Sequence, residues 1–259
     1  MKNILIFIAL VGIGIGIWYG GQYPAGPAKS VLQGTEQPDG EMKYVEEGKY
    51  YSIEVVYPAR TPLWGRWNTS VDSMVRNKIE TALLNDITQF KLSISADQIS
   101  GPEKEMLDMT GRKYLYQITY KPYASAQRKL VSYEFDIYAD TGGAHPNSYY
   151  QTLVFDMEGG EVKLGDLFDP ASDYLQRLST LALADIQAQV GQRLGVDPAV
   201  PIFAEGVAPT EENFSNFILD GDTLVILIPP YQAAAYAVGT FEVRIPLSQF
   251  SDILRLDWK

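Results

Sequence analysis

No cysteine occurs in this chain of 259 residues, and histidine occurs once. The first absence excludes disulfides, thiolate metal sites, a lipid-modified cysteine and cysteine nucleophiles together. It does not choose a compartment, because a chain of this size can bury a core without cross-links. The second leaves His145 as the one side chain whose ordinary pKa lies near neutrality. It also removes H-E-x-x-H and every zinc site built on paired imidazoles, so no metal site is expected. Neither a G-x-G-x-x-G turn after a strand nor a Gly-Lys-Ser phosphate cradle is present, so no nucleotide cofactor has a seat. Basic residues are the minority sign, 21 against 32 acidic, for a net charge of -11. That field repels nucleic acid. It suits either a cationic partner or simple solubility.

What is present is apolar and aromatic material, 46% and 12% of the residues, with 17 tyrosines. Tyrosine in such numbers suits antiparallel strands whose rings cover a core while their hydroxyls reach water. The run from Ile4 to Gly21 carries no charge. At about 1.5 Å per residue it matches a bilayer's hydrocarbon core, so residues 1–21 are expected to be a membrane anchor or a signal segment. Lys2 is the one side-chain cation before it, which places the short amino end inside and the body outside. A retained anchor is favoured over cleavage, because Y-P-A-G-P-A at Tyr23 to Ala28 is a proline-spoiled cleavage site. Residues 22–47, rich in Pro, Gly, Gln and Glu, are expected to be a flexible tether.

Beyond it, Tyr51, Ile53, Val55 and Tyr57 alternate as a strand that Pro58 ends. Trp64 and Trp67 in W-G-R-W are candidate binding residues, or else a wedge under the next helix. Thr69 and Asp72 read as a capping box, and Val75, Ile79, Leu83, Ile87 and Phe90 follow at helical spacing. Ser93 to Gly111 reads as a polar loop. Tyr114 to Pro122 then alternates as a strand. Asp169 with Pro170 is expected to start a second long helix whose stripe Leu178, Ala182, Ile186 and Val190 packs on the same core. D-G-D at Asp220 to Asp222 marks a hairpin between apolar strands rather than a calcium loop. Phe241, Val243 and Ile245 form the last strand. Helices in two places, rather than after every strand, give an α+β fold: an antiparallel sheet with two long helices packed on it. The expected division is a strand-helix-strand segment over 48–125 and a second domain over 126–259.

The stretch from Leu130 to Asp169 organises the rest. Val131, Tyr133, Phe135 and Ile137 alternate with Ser132, Glu134 and Asp136, and T-G-G-A-H-P then reverses the chain sharply. His145 sits in that turn with Asp140 and Asp136 upstream and Ser148 downstream. A catalytic trio would have to converge in space, which neighbours in one turn rarely do. His145 with Asp140 is therefore the weaker, hydrolytic alternative, and the turn residues Gly142, Gly143, His145 and Asn147 are expected to be binding residues.

The G-G-A-H turn, the run F-D-M-E-G-G at Phe155 to Gly160, and L-G-D-L-F at Leu164 to Phe168 resemble the RsiV-like extracytoplasmic domain. So does L-V-I-L-I-P-P-Y-Q-A-A-A-Y-A-V-G-T-F-E-V-R-I-P at Leu224 to Pro246. This domain is the outer part of the anti-sigma factor RsiV and an amino-terminal part of the peptidoglycan deacetylase PdaC. The resemblance implies a membrane-anchored extracytoplasmic binding or sensing domain of a bacterial envelope, not an enzyme. Its implied partner is a cationic protein such as lysozyme, or peptidoglycan. The deacetylase chemistry belongs to a separate domain of PdaC, and only Met1 to Asn3 precede the apolar run, too little to hold a sigma factor. An envelope hydrolase using His145 with a nearby carboxylate, and an assembly subunit, are the remaining alternatives.

Overall fold

The computed structural model describes residues 32–61, 69–95, 98–195 and 202–255. Six strands form one sheet in sequence order: β1 (Thr35–Glu36), β2 (Glu41–Glu47), β3 (Tyr51–Pro58), β4 (Tyr114–Ser125), β5 (Leu130–Asp140) and β6 (Asn147–Phe155). Neighbours pair antiparallel except β3 and β4, which run parallel in register Tyr51 to Tyr114. A parallel pair needs a crossover. Helices α1 (Thr69–Ser93) and α2 (Gly101–Thr110) lie within it.

Alternation dictates which sheet face α1 covers. Ile53, Val55 and Tyr57 of β3, Tyr116 and Ile118 of β4, and Tyr133, Phe135 and Ile137 of β5 are all buried with Val75, Ile79, Leu83 and Ile87 of α1. The 3.6-residue stripe thus meets the two-residue stripe. Phe90 stacks on Tyr116 with ring centroids 4.5 Å apart. At the far end of α1, Lys91 bridges to Glu46 of β2 at 2.5 Å, and Tyr44 and Tyr51 donate to the same carboxylate. Burial alone would raise the Glu46 carboxyl, but these three donors outweigh it and hold the group at about 2.

Two expectations fail in this half. The tether does not remain loose to Glu47, because Glu41–Glu47 pairs along its whole length with β3. Its alternation, Met42 and Tyr44 inward, is short and flanked by charges, so composition hid it. Ser93 to Gly111 is not a polar loop throughout. Ser100 caps α2 by accepting from the Glu103 amide, a proline sits in the first turn, and Gly111 closes the helix at φ 67°. Start and stop signals were all in the sequence, but Leu107 is the only residue α2 buries, so no apolar period advertised it.

A second sheet, β7 (Phe217–Asp220), β8 (Thr223–Ile228) and β9 (Phe241–Pro246), is antiparallel throughout. The D-G-D signal is its first hairpin, with Gly221 at φ 59°. Helix α3 (Tyr174–Leu194) packs here and not on the first core: Leu178, Ala182, Ile186 and Val190 are buried with Leu224, Ile226, Phe241 and Val243. The expectation of one shared core is corrected by this second cluster. Asp169 does not start α3 either. It caps a turn of its own, accepting from the Ala171 amide, and α3 begins at Tyr174 with Asp173 at its cap.

The small sheet's other face, Ile218, Val225 and Leu227, packs with Tyr123 and Tyr150 on the wet face of the large sheet. From Phe217 and Leu219 of β7, backbone N–H groups donate to Thr152 Oγ1 at 3.0 Å and Ser132 Oγ at 2.9 Å. The layers therefore run α1, large sheet, small sheet, α3. No helix among the described residues is long and apolar enough to cross a membrane. The Ile4 to Gly21 run lies outside them.

Among the described residues Asp86 of α1 has no hydrogen-bond or ion-pair partner, and it faces Tyr116 and Tyr149, whose hydroxyls bond each other at 3.0 Å. Burial pushes its carboxyl up to about 6. Its pKa thus exceeds the unfolded value of about 3.9, so the folded state holds the extra proton and stability falls as pH rises through that interval. Asp86→Asn is expected to stabilise the fold at pH 7 by up to about 2 kcal/mol, with the gain vanishing near pH 4. Urea midpoints of both proteins at the two pH values check this.

Candidate functional site

The turn that joins β5 to β6 is built by two residues before His145 is reached. Gly142 adopts φ 79°, and its amide donates to Asp140 Oδ1 at 2.9 Å. The same carboxylate takes both contacts of Arg112, at 3.1 and 3.0 Å. Asp140 is thus committed to shaping the turn and to an arginine beside α2. Gly143 is exposed and Asn147, also exposed, opens β6 opposite Ala139. Trp64 and Trp67 lie outside the described residues.

His145 contacts residues far along the chain. Its ring stacks on Tyr236, centroids 3.8 Å apart and 16° from parallel, with Tyr231 tilted beside both. Nδ1 lies 3.1 Å from the Pro146 carbonyl, which can only accept, so Nδ1 carries the proton. Nε2 is left to accept from the Tyr231 hydroxyl at 2.8 Å. Tyr236 also donates to the Pro146 carbonyl, at 3.1 Å. Among the described residues no acid is a hydrogen-bond partner of the imidazole.

The segment carrying both tyrosines is held from behind. Gln232 Nε2 donates to the carbonyls of Gly206 and Asn213, and the Phe203 amide donates to Ala233. Ala233 and Ala234 are buried. Gly206 is required there, since a Cβ on it would sit 1.7 Å from the Gln232 carbonyl oxygen. A single helical turn follows at Tyr236–Val238. Tyr231 is 54% exposed and held at φ 71°. That left-handed conformation costs a non-glycine residue on the order of 1 kcal/mol.

Beside this cluster the wet face of the large sheet is open. Register places Gln117, Tyr138 and Ser148 side by side across β4, β5 and β6, and Thr119, Asp136 and Tyr150 in the next row. Together they line a concavity of about 290 Å³. Tyr150 reaches Thr240 at the end of the tyrosine segment, so that segment stands at the margin of this floor. Asp136 lies 3.1 Å from Lys121. Burial raises its carboxyl, against the pull of that lysine. No cluster among the described residues could hold a metal ion.

Sequence reasoning placed His145 at the turn but missed Tyr231 and Tyr236 as its partners. They lie in P-P-Y-Q-A-A-A-Y, whose interrupted apolar pattern reads as connection, not as site. The floor was also missed, although its residues stand two apart on each strand.

Two family models match the chain. One, described as deacetylase PdaC, covers residues 44–148, and the other, described as a protein of unknown function (DUF3298), covers residues 165–248. The peptidoglycan-N-acetylmuramic acid deacetylase PdaC of Bacillus subtilis is 28% identical over 82% of this chain. The chain spans 40% of that protein's length. The immunogenic protein MPT64 of Mycobacterium tuberculosis is 21% identical over 83% of this chain and 86% of its own. Among solved structures, a DUF3298 family member from Bacteroides fragilis has a TM-score of 0.54 at 18% identity, covering 84% of this chain and 93% of its own. One from Pseudomonas aeruginosa has a TM-score of 0.51 at 14% identity with the same coverages. These two show the fold alone.

Tyr236→Phe keeps the ring under His145 and removes the donor to Pro146. It is expected to cost about 1 kcal/mol, and Tyr236→Ala, which also removes the stack, about 2–3 kcal/mol. Chemical denaturation of the three proteins measures both.

Proposed function

Because this chain belongs to the family of RsiV-like and PdaC amino-terminal domains, we propose that it is a non-catalytic binding domain of a bacterial envelope, acting outside the cytoplasm. The observation that carries the reading is the state of His145. A general base needs a free nitrogen within reach of a substrate proton and commonly an acid to orient it. Here the carbonyl of Pro146 and the hydroxyl of Tyr231 take both nitrogens, and Asp140 is given to Arg112. The imidazole locks two distant segments together. It is a clamp.

In this reading the Ile4 to Gly21 run is the anchor, and the body faces wall polymer and whatever attacks it. A net charge of -11 favours approach of a cationic protein of the lysozyme kind, and the relative's name connects the family with peptidoglycan. Contact with the wall is carried over; deacetylation is not, since this chain matches only part of that enzyme.

Co-sedimentation of the full chain with purified peptidoglycan sacculi and, separately, capture on immobilised lysozyme test the proposal. Retention on at least one is expected, and loss from both removes it. Neither the native protein nor His145→Ala is expected to release soluble products from sacculi. Turnover by the native protein that the substitution abolishes would establish the hydrolase instead.

A further inference from the structure

The wet face of the large sheet is divided, and its two halves treat their polar side chains differently. On the covered half Ser132 and Thr152 accept from β7 and Glu134 takes Lys121 and Tyr123 at 2.8 and 2.7 Å, while Ser125 Oγ is buried without a partner among the described residues. On the open half, Gln117, Thr119, Tyr138 and Ser148 make no side-chain hydrogen bond to the described residues. An amide, two hydroxyls and a phenol thus stand in a checkerboard with Asp136 and Tyr150, two rows of three.

The geometry points to this half-face as a saccharide-binding floor that takes a neutral, polyhydroxylated sugar chain. The inference rests on the binding reading above and deepens it. Three features select the ligand. The spacing between adjacent side chains across strands is about 5 Å, and pyranose hydroxyls are satisfied by amide, carboxylate and hydroxyl groups set out on such a grid. Tyr138 offers a ring for the apolar face of a sugar while its hydroxyl remains wet, and Tyr150, packed against the small sheet, borders it. Charge excludes anions. Lys121 is shared between Asp136 and Glu134, so the floor keeps a negative field, and the acidic chain as a whole repels polyanions. The concavity of about 290 Å³ sits at the lower end of small-molecule site volumes, which suits one or two sugar rings lying across the strands, not a buried ligand. Tyr231, exposed at the margin and held in a costly backbone conformation, is placed to touch the next ring of the chain.

The test uses the full chain in a detergent without a sugar headgroup, at about 0.5 M salt so that charge steering is screened. Oligomers of N-acetylglucosamine are titrated, with tyrosine fluorescence and calorimetry as readouts. Binding is expected, and it should weaken at least about tenfold in Ser148→Arg and in Gln117→Ala, exposed positions whose replacement leaves the melting temperature unchanged. Tyr231→Ala should weaken longer oligomers more than short ones. No binding of the oligomers by the native protein overturns the proposal, as does binding that all three substitutions leave intact. Retention on sacculi or lysozyme in the face of either result would leave the broader binding reading standing, so the two failures are distinguishable.

Discussion

The architecture depends on how the outer edge of β7 is satisfied. An edge strand carries backbone donors that must find acceptors or face water. In this protein the amides of Phe217 and Leu219 are taken by hydroxyls on the large sheet, Thr152 and Ser132, the second of them fully buried. A buried amide without its acceptor would cost about 1–3 kcal/mol, so these two bonds fix where the small sheet sits. Everything later in the chain follows that placement. The sheet brings α3 with it, closes the small apolar seam of Ile218, Val225 and Leu227, and carries the Tyr231 to Tyr236 segment to the turn that holds His145.

Much of the fold is legible because periods announce themselves. The stripes of α1 and α3, the alternation in β3 to β5 and the D-G-D hairpin all appear where residue spacing puts them. What failed has a common physical cause. Glu41–Glu47 and α2 bury little, so neither displays a period strong enough to stand out from polar surroundings. The separation into two cores was invisible for a different reason. An apolar stripe records that a helix is covered, not by which sheet.

The site was half legible on the same grounds. His145 stood out by being alone, but a ring stacked 91 positions along the chain leaves no mark on local sequence. The wet face of β5 teaches the limit most clearly. Ser132, Glu134, Asp136 and Tyr138 look alike as alternating polar residues, yet the first two are buried and the last two are not. Which polar positions become internal hydrogen-bond partners is decided by a strand placed more than eighty residues later, with Leu219 meeting Ser132 across a separation of 87.

The parallel union of β3 with β4 carries a consequence for synthesis. As the polypeptide grows, the β2–β3 hairpin is made first, and its open side finds its mate only when Tyr114 and the residues after it emerge. Loop closure of that length is slow compared with a hairpin, and Ile53, Val55 and Tyr57 stay uncovered meanwhile. The nascent chain therefore passes through an interval in which a core-facing strand lacks its mate, and α1, emerging between the two, is in a position to shield it.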